Sequence, residues 1–329
     1  MADPKQLSSI RNSNMFRKCL RVYLLQSRRV WNHVPASLQR LPLGRSYGSH
    51  LHALVRRRAE RQQYFATFFL RNRAELELIR RLADQKTHGS KLDISVLACS
   101  KGAEVYSILW IMRSARPDLK ISMHGLDIAR DILEFAERGV YSLTSPDAFN
   151  ASNREAVTTR GDVTWNTCRD QLTSMFERMT REETEAMFEL TGDQARIRPW
   201  LKEGITWVCG DAASPEVGES LGPQDIVVAN RFLCHMKPAA AEACLRNLAR
   251  LVKPGGYLFV SGIDLDVRTR VARAMGWRPV MDLMRDIHEG DPSLRSGWPL
   301  EYWGLEPFDD DRPDWKIRYA SVFQIGETA

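Results

Sequence analysis

The stretch Leu92–Tyr106, LDISVLACSKGAEVY, followed by HGLDIA at 124–129, constrains the fold more than any other part of the chain. An apolar run, a tight loop around Gly102, a helix opening at Glu104 and a second apolar run ending on Asp127 read as strand, loop, helix, strand. This layout predicts a parallel sheet with a nucleotide-like ligand at its carboxyl edge. The loop backbone would approach the ligand closely, and the acid at the next strand tip would accept hydrogen bonds from ribose hydroxyls. One glycine stands where the dinucleotide fingerprint has three.

The alternation continues along the chain. Strands are predicted at 92–98, 120–126, 205–209, 225–230 and 256–262, and helices at 104–115, 130–138 and 238–252. Apolar strands alternating with helices predict an α/β fold, a doubly wound Rossmann-like sheet covered on both faces. Pro238 suits a first helical turn, and Pro254-Gly255-Gly256 a stop. Ahead of the sheet, 15–31 and 50–82 read as helical, with Pro35, Pro42, Gly44 and Gly48 breaking the chain between them. The predicted division is a basic N-terminal helical region, 1–86, and a ligand-binding domain, 87–329, entered through THGS at 87–90.

Two segments interrupt this pattern. The insertion at about 142–203 contains DQLTSMFERMTREETEAMFEL, where Leu172, Met175, Phe176, Met179, Met187 and Leu190 recur at helical spacing and Thr180 with Glu183 forms a possible capping box. It is expected to be helical, with the Met and Phe stripe as core more readily than as a substrate pocket. The extension at about 264–329 ends in an aromatic run, 298–325, with a polar turn at 309–314, and reads as an antiparallel hairpin closing the sheet edge.

Charge is unevenly spread over the 329 residues: 1–81 hold 17 Lys/Arg against 4 Asp/Glu, whereas the net charge of the whole chain is +6. A basic layer docked on an acidic body is the plainer reading; a surface for an acidic protein partner is the sharper one. No zinc finger, RNA-recognition signature or aromatic-interleaved basic strand supports a nucleic-acid partner. Cys19, Cys99, Cys168, Cys209, Cys234 and Cys244 include no C-x-x-C pair, which suits a reducing, cytoplasmic setting without a disulfide framework or metal site. No apolar run approaches the roughly 20 residues that span a bilayer.

Several motifs resemble those of the CheR-type methyltransferases, which carboxyl-methylate receptor glutamates using S-adenosylmethionine (SAM). Their Thr-x-Phe-Phe-Arg is approximated by Thr67-Phe68-Phe69-Leu70-Arg71. Their Ala-Cys-Ser-x-Gly-Glu-Glu-x-Tyr-Ser is similar to Ala98-Cys99-Ser100-Lys101-Gly102-Ala103-Glu104-Val105-Tyr106-Ser107. Their strand ending in Asp-Ile matches Asp127-Ile128, followed by a helix and Gly139-Val140-Tyr141. The similarity runs from about 60 to 262. It implies a class I SAM-methyltransferase fold, with SAM as cofactor and with Thr67, Arg71, Gly102 and Asp127 touching or framing it, Arg71 near the transferred methyl. The chain departs from the family pattern in three places. Ala103 replaces the first of two glutamates, the Arg-Asn pair after the fourth strand is reversed as Asn230-Arg231, and His235 stands at the active-site tyrosine position.

Methyl transfer requires a cofactor cradle and an acceptor-orienting group rather than a nucleophile triad. The candidate cradle is Thr67, Arg71, Ala98, Cys99, Ser100, Gly102, Glu104, Asp127, Ile128, Asp211, Ala212, Asn230 and Arg231. Aspartate also opens turns, so Asp211 has a structural reading of equal weight. Arg71 and His235 are the candidate catalytic residues: a guanidinium fork suits a carboxylate, and histidine suits acceptor orientation or base catalysis, the alternatives being a structural ion pair for Arg71 and a helix-start hydrogen bond to the backbone for His235. A helical lid with altered glutamate and tyrosine positions points to a small carboxylate-bearing acceptor such as an amino acid. A β insertion with an exposed edge would point instead to glutamates of a signalling protein. A non-catalytic SAM-sensing module is the third reading.

Overall fold

The computed structural model describes residues 19–20, 22–58, 67–144, 174–291, 297–302 and 304–326. Cys168 and Leu172 lie outside them. The chain forms two compact units, one of Met1–Glu60 with Ser293–Pro307 and the other of Arg61–Pro292 with Phe308–Ala329. Residues 67–86, grouped with the basic N-terminal region from the sequence, belong to the second unit.

In the first unit a helix runs unbroken over Pro42–Arg58. Gly44 and Gly48 lie within it and break nothing. At Gly48 the missing side chain is needed, since a Cβ there would come within 2.3 Å of the Trp298 ring. Trp298 in turn meets Trp31 edge-on at 5.6 Å.

In the second unit the first described helix is α1 (Arg73–Asp84), capped by Asn72, whose side chain accepts from the Glu75 amide. The chain is not helical over Thr67–Asn72, and Leu70 has φ +51°. The expected helix over 50–82 is therefore interrupted. Among the described residues the apolar spacing covers the end of the Pro42–Arg58 helix and α1, with the non-helical Thr67–Asn72 directly ahead of α1. Next come β1 (Lys91–Leu97), α2 (Ala103–Ala115), β2 (Lys120–Asp127), α3 (Arg130–Arg138) and the short β3 (Val140–Ser142). After the insertion follow β6 (Ile205–Cys209), β7 (Gln224–Val228), α5 (Pro238–Ala249), β8 (Val252–Phe259), α6 (Leu265–Ala274), β9 (Arg278–Pro279), α7 (Met284–Glu289), α8 (Trp315–Tyr319) and β10 (Val322–Gln324).

The main sheet has the order β6-β2-β1-β7-β8-β10-β9. The first five strands are parallel, and β10 is antiparallel to both β8 and β9. This is the class I SAM-methyltransferase arrangement. Strand order reverses between β1 and β7, so the loops leaving them diverge and open a crevice at the carboxyl edge. Alternation along the strands separates two cores: Ile94, Val96, Ile226, Val228 and Phe259 face α1 and α2, whereas Leu97, Val227, Leu258 and Val260 face α5 and α6. At the opposite edge Lys253 reaches Asp93 (2.9 Å) and Asp225 (2.8 Å), tying β8 to β1 and β7. That clamp accompanies a register irregularity where β8 meets β7, and the strand runs through Pro254-Gly255-Gly256 instead of beginning after it.

Two expectations are corrected. The insertion is not wholly helical. Its described part contains helix α4 (Arg181–Met187), but also β4 (Phe188–Thr191) and β5 (Gln194–Ile197), which join β3 in an antiparallel sheet of order β3-β5-β4. The turn at Gly192-Asp193, with Gly192 at φ +58°, closes the hairpin that helical spacing of Met187 and Leu190 concealed. The capping box is present, with Thr180 Oγ1 accepting from Glu183 N and Glu183 Oε2 from Thr180 N. Phe176 and Met187 are buried core, as read, while Leu190 is exposed. The C-terminal run is likewise no hairpin, because Trp315–Tyr319 is helical and only Val322–Gln324 enters the sheet.

Among the described residues no helix is long and apolar enough to cross a membrane, and no cluster of His, Cys, Asp or Glu could hold a metal.

Candidate active site

The loop after β1 is built from backbone conformations that side chains disfavour. Ala98 and Ser100 both have φ +51°, and Gly102, which caps α2, has φ +80°. Non-glycine residues at positive φ cost roughly 1–2 kcal/mol each and persist where the surroundings hold them. Asp127, at the tip of β2 and 4 % exposed, does the holding. Its Oδ2 accepts the Ser100 amide at 2.8 Å and its Oδ1 the Ala129 amide at 3.1 Å. A carboxylate held at this strand tip fits the ribose role expected of it. Burial raises the Asp127 pKa against the lowering effect of these amides. Cys99 is buried beneath the loop, and burial with Asp127 nearby pushes its thiol pKa well up, so it is packing rather than a nucleophile.

On the far side of the crevice Asn230, just past β7, gathers two acids. Its Nδ2 donates to Glu75 Oε1 at 2.6 Å and to Glu104 Oε1 at 2.8 Å. Burial, and then the neighbouring Glu104, push the Glu75 pKa up to about 8. Burial raises Glu104 too, opposed by Arg71. Arg71 donates to Thr67 Oγ1 at 2.9 Å. Burial and the nearby Arg231 lower its pKa to about 10, leaving it charged at neutral pH.

Two further arginines converge here. Arg231, held at φ +61°, meets Asp291 at 2.9 Å, and Arg178 from the insertion meets the same carboxylate at 3.1 Å. Arg178 also donates to the Arg71 carbonyl at 2.8 Å and lies 4.4 Å over the Phe68 ring. The insertion sheet thus grips the motif at 67–71. The Phe69 amide donates to Met175 O, and the Phe69 ring packs among Tyr141, Phe176 and Phe188 at 5.0–5.3 Å. Tyr141 Oη closes on the Lys101 carbonyl at 2.7 Å, linking the insertion to the β1 loop.

The structure therefore brings Thr67, Arg71, Glu104, Asn230 and Arg231 into one polar network, and joins Ser100 to Asp127. Ile128 stands 52 % exposed beside that carboxylate, an apolar surface at the strand tip where an adenine ring could rest. Asp211 is exposed and accepts from the Ala213 amide in a turn of its own, while Ala212 belongs to the core against α5. His235 is half-buried on the short turn Leu233–His235 after β7.

Sequence reasoning missed Glu75, Arg178, Ser261 and Asp291. For Glu75 a signal existed: it shares the buried face of α1 with Leu76, Ile79 and Leu82, where a carboxylate is out of place unless partnered. Arg178 and Asp291 reach the site only through the tertiary fold.

The residues present fit SAM. An acidic pair suits a cofactor of net positive charge, and the Asp127 carboxylate and exposed Ile128 suit a nucleoside.

Comparison with known proteins agrees. Residues 66–177 match the CheR methyltransferase SAM binding domain, and residues 177–260 match a methyltransferase domain. No curated protein matches the chain. Among similar solved structures is SAM-bound magnesium protoporphyrin IX methyltransferase from Synechocystis PCC 6803, with 14 % identity, 72 % of this chain and 86 % of that chain covered, and TM-score 0.32. An O-methyltransferase family protein from Burkholderia thailandensis has 13 % identity, 57 % and 36 % coverage, and TM-score 0.30. A SAM-bound amino pentose methyltransferase of calicheamicin biosynthesis from Micromonospora echinaspora has 13 % identity, 57 % and 48 % coverage, and TM-score 0.29. The chain thus spans less than half the length of the last two. The two family matches meet at residue 177, across the fold and the network just described, so that residues 66–260 are similar to a SAM-dependent methyltransferase domain whose first part resembles CheR.

Proposed function

We propose that the chain methylates a carboxylate, and that this carboxylate is a glutamate side chain presented by a partner protein. The observation that carries the reading is the antiparallel insertion. Its outer strand β4 exposes Glu189, Leu190 and Thr191 and, among the described residues, is paired on one side only. In the receptor methyltransferases that the sequence resembles, a small β subdomain in this place docks on the receptor. The helical lid that favoured a small acceptor is not what the described insertion forms.

Bound SAM would supply a methyl group on a sulfonium whose departure as a neutral thioether drives the transfer. A carboxylate acceptor is already a nucleophile, so no base is required of the protein. Thr67 fixes one end of the Arg71 guanidinium, and Arg178 fixes the backbone that carries it. Arg71 orients the acceptor carboxylate by its planar fork. In this reading His235 is the acceptor-orienting group. With an amine or hydroxyl acceptor it would have to take the proton as well. The basic N-terminal helices supply the charge to draw in an acidic helical partner.

The test is methyl transfer from methyl-labelled SAM, offered a glutamate-rich receptor fragment and free amino acids in parallel. Base-labile label on the fragment supports the proposal. A labelled, base-stable small product would replace it with a metabolite enzyme acting on sulfur or nitrogen. Binding of SAM without formation of S-adenosylhomocysteine (SAH) from any acceptor would leave a sensing module.

A further inference from the structure

Glu75 lies outside the motifs that carry the family resemblance, yet it sits at the centre of the polar network. The amide of Asn230 is fixed from behind: its Oδ1 accepts the Ser261 amide at 2.9 Å and the Ser261 hydroxyl at 2.8 Å. A backbone donor leaves no ambiguity about which end of the amide faces it, so the Asn230 NH2 is turned toward the acids. That single nitrogen serves Glu75 Oε1 at 2.6 Å and Glu104 Oε1 at 2.8 Å. The two carboxylate oxygens are hence within roughly 5 Å of each other, where like charges in a buried setting oppose one another's ionisation. Glu75 is 5 % exposed, so solvent cannot screen the pair.

The charged groups facing this pair are Arg71 ahead of α1, Arg231 beyond β7 and Asp291 beyond α7, with Arg178 of the insertion facing Arg71 and Asp291. Three carboxylates thus meet three guanidiniums. The cluster is neutral when all are ionised and carries one positive charge when the acid pair retains a proton. SAM, with an ammonium, a sulfonium and a carboxylate, brings one further positive charge to this edge. A second positive charge beside the first is unfavourable in a buried site, and loss of the carboxyl proton removes the conflict.

We propose that Glu75 is a cofactor-positioning residue: with Glu104 on the shared Asn230 amide it holds one proton in the cofactor-free protein and releases it to solvent when SAM binds. The only covalent bond that breaks is the carboxyl O–H, and the proton goes to buffer. The inference rests on the SAM site described above and adds to it a residue and a proton. Because burial places the Glu75 pKa near 8, the release occurs at physiological pH.

The experiment is calorimetric titration of the full chain with SAM at about pH 7, in buffers of different ionisation enthalpy. Close to one proton should be released per SAM bound. By linkage the affinity should rise by up to about tenfold per pH unit below pH 8 and flatten above it. In Glu75→Gln the side-chain oxygen still accepts from Asn230, so release should fall to near zero and the affinity should lose its pH dependence. Should that variant not fold, the wild-type protein decides: the infrared carbonyl band of a protonated carboxylic acid should be present before SAM is added and lost after. SAM binding without proton release, or release undiminished in Glu75→Gln, would overturn the inference and leave the cofactor site standing. Failure of SAM to bind at all would remove both.

Discussion

Removing the Asp127 carboxylate tests whether the cofactor loop is held as the structure indicates. In Asp127→Ala two backbone amides, Ser100 N–H and Ala129 N–H, lose acceptors at 2.8 and 3.1 Å. Hydrogen bonds to a charged group are worth about 1.5–3 kcal/mol each, and relief of the buried carboxylate's desolvation offsets part of the loss. The expected destabilisation is therefore about 3 kcal/mol, or roughly 6–12 °C in melting temperature for a body of this size. The strained conformations at Ala98 and Ser100 would relax once unanchored, so SAH binding should be lost together with the stability. Asp127→Asn should fall between, because its oxygen accepts one amide while its NH2 opposes the other. Denaturant unfolding of the cofactor-free protein measures the first effect and SAH titration the second. If Asp127→Ala unfolds within about 0.5 kcal/mol of wild type, as an unremarkable surface substitution would, the carboxylate is not the anchor. If it still binds SAH, the cradle assignment is wrong.

Three further outcomes follow from the geometry. Gly102→Ala forces a side chain into φ +80° with its Cβ 3.0–3.2 Å from Ala136, Trp207 and Tyr106, and should cost about 2 kcal/mol in denaturant unfolding while weakening SAH binding. Arg268→Met leaves the Val260 and Arg318 carbonyls without a donor that is 2 % exposed, and should lower the melting temperature by about 2 kcal/mol equivalent, with SAH affinity unchanged. Glu75 keeps its proton to about pH 8 when folded but loses it near the ordinary carboxyl value when unfolded. Wild-type stability should therefore decline as pH rises between roughly 4.5 and 8, and Glu75→Gln should lack that part of the decline in melting curves against pH.

What was legible in the sequence followed periodicity. Apolar strands, and helices punctuated by Gly102 and Pro238, announced the first four parallel strands to within about two residues, whereas β8 begins four residues earlier than expected and β9 and β10 were not foreseen as they stand. The same rule misread the insertion. Met187 and Leu190 are three apart, but Met187 ends α4 and Leu190 lies on the exposed side of β4, so their spacing crossed a change of element. Short antiparallel strands of three or four residues carry too few positions for alternation to show. The site divided in a similar way. Residues at strand tips, such as Asp127 and Asn230, could be found because topology alone puts strand tips at the ligand. Glu75, Arg178 and Asp291 come from α1, the insertion and the segment after α7. Their meeting depends on how those elements pack, which no local spacing encodes.

That convergence ties the insertion to the polar network at the carboxyl edge of the main sheet. Arg178 simultaneously holds the Arg71 carbonyl, one guanidinium contact of buried Asp291 and the face of Phe68. Arg178→Met would keep much of the side-chain bulk over Phe68 while removing both polar contacts. Asp291, 4 % exposed, would then lose one guanidinium partner, and the Arg71 backbone one donor. Breaking one partner of a buried ion pair costs about 3–5 kcal/mol when the other charge is stranded. Here Arg231 at 2.9 Å still compensates Asp291, so the loss should be nearer the single charged hydrogen bond, about 2 kcal/mol. Catalysis should suffer more than stability, because misplacing a positioning group by an ångström can cost about a hundredfold. The expected pattern is a fall in kcat with labelled SAM and acceptor, and SAH affinity within about threefold of wild type, since Arg178 touches neither the β1 loop nor Asp127. A matching loss of SAH affinity would mean that the insertion supports the cofactor side of the crevice, and that Arg71 acts there rather than on the acceptor.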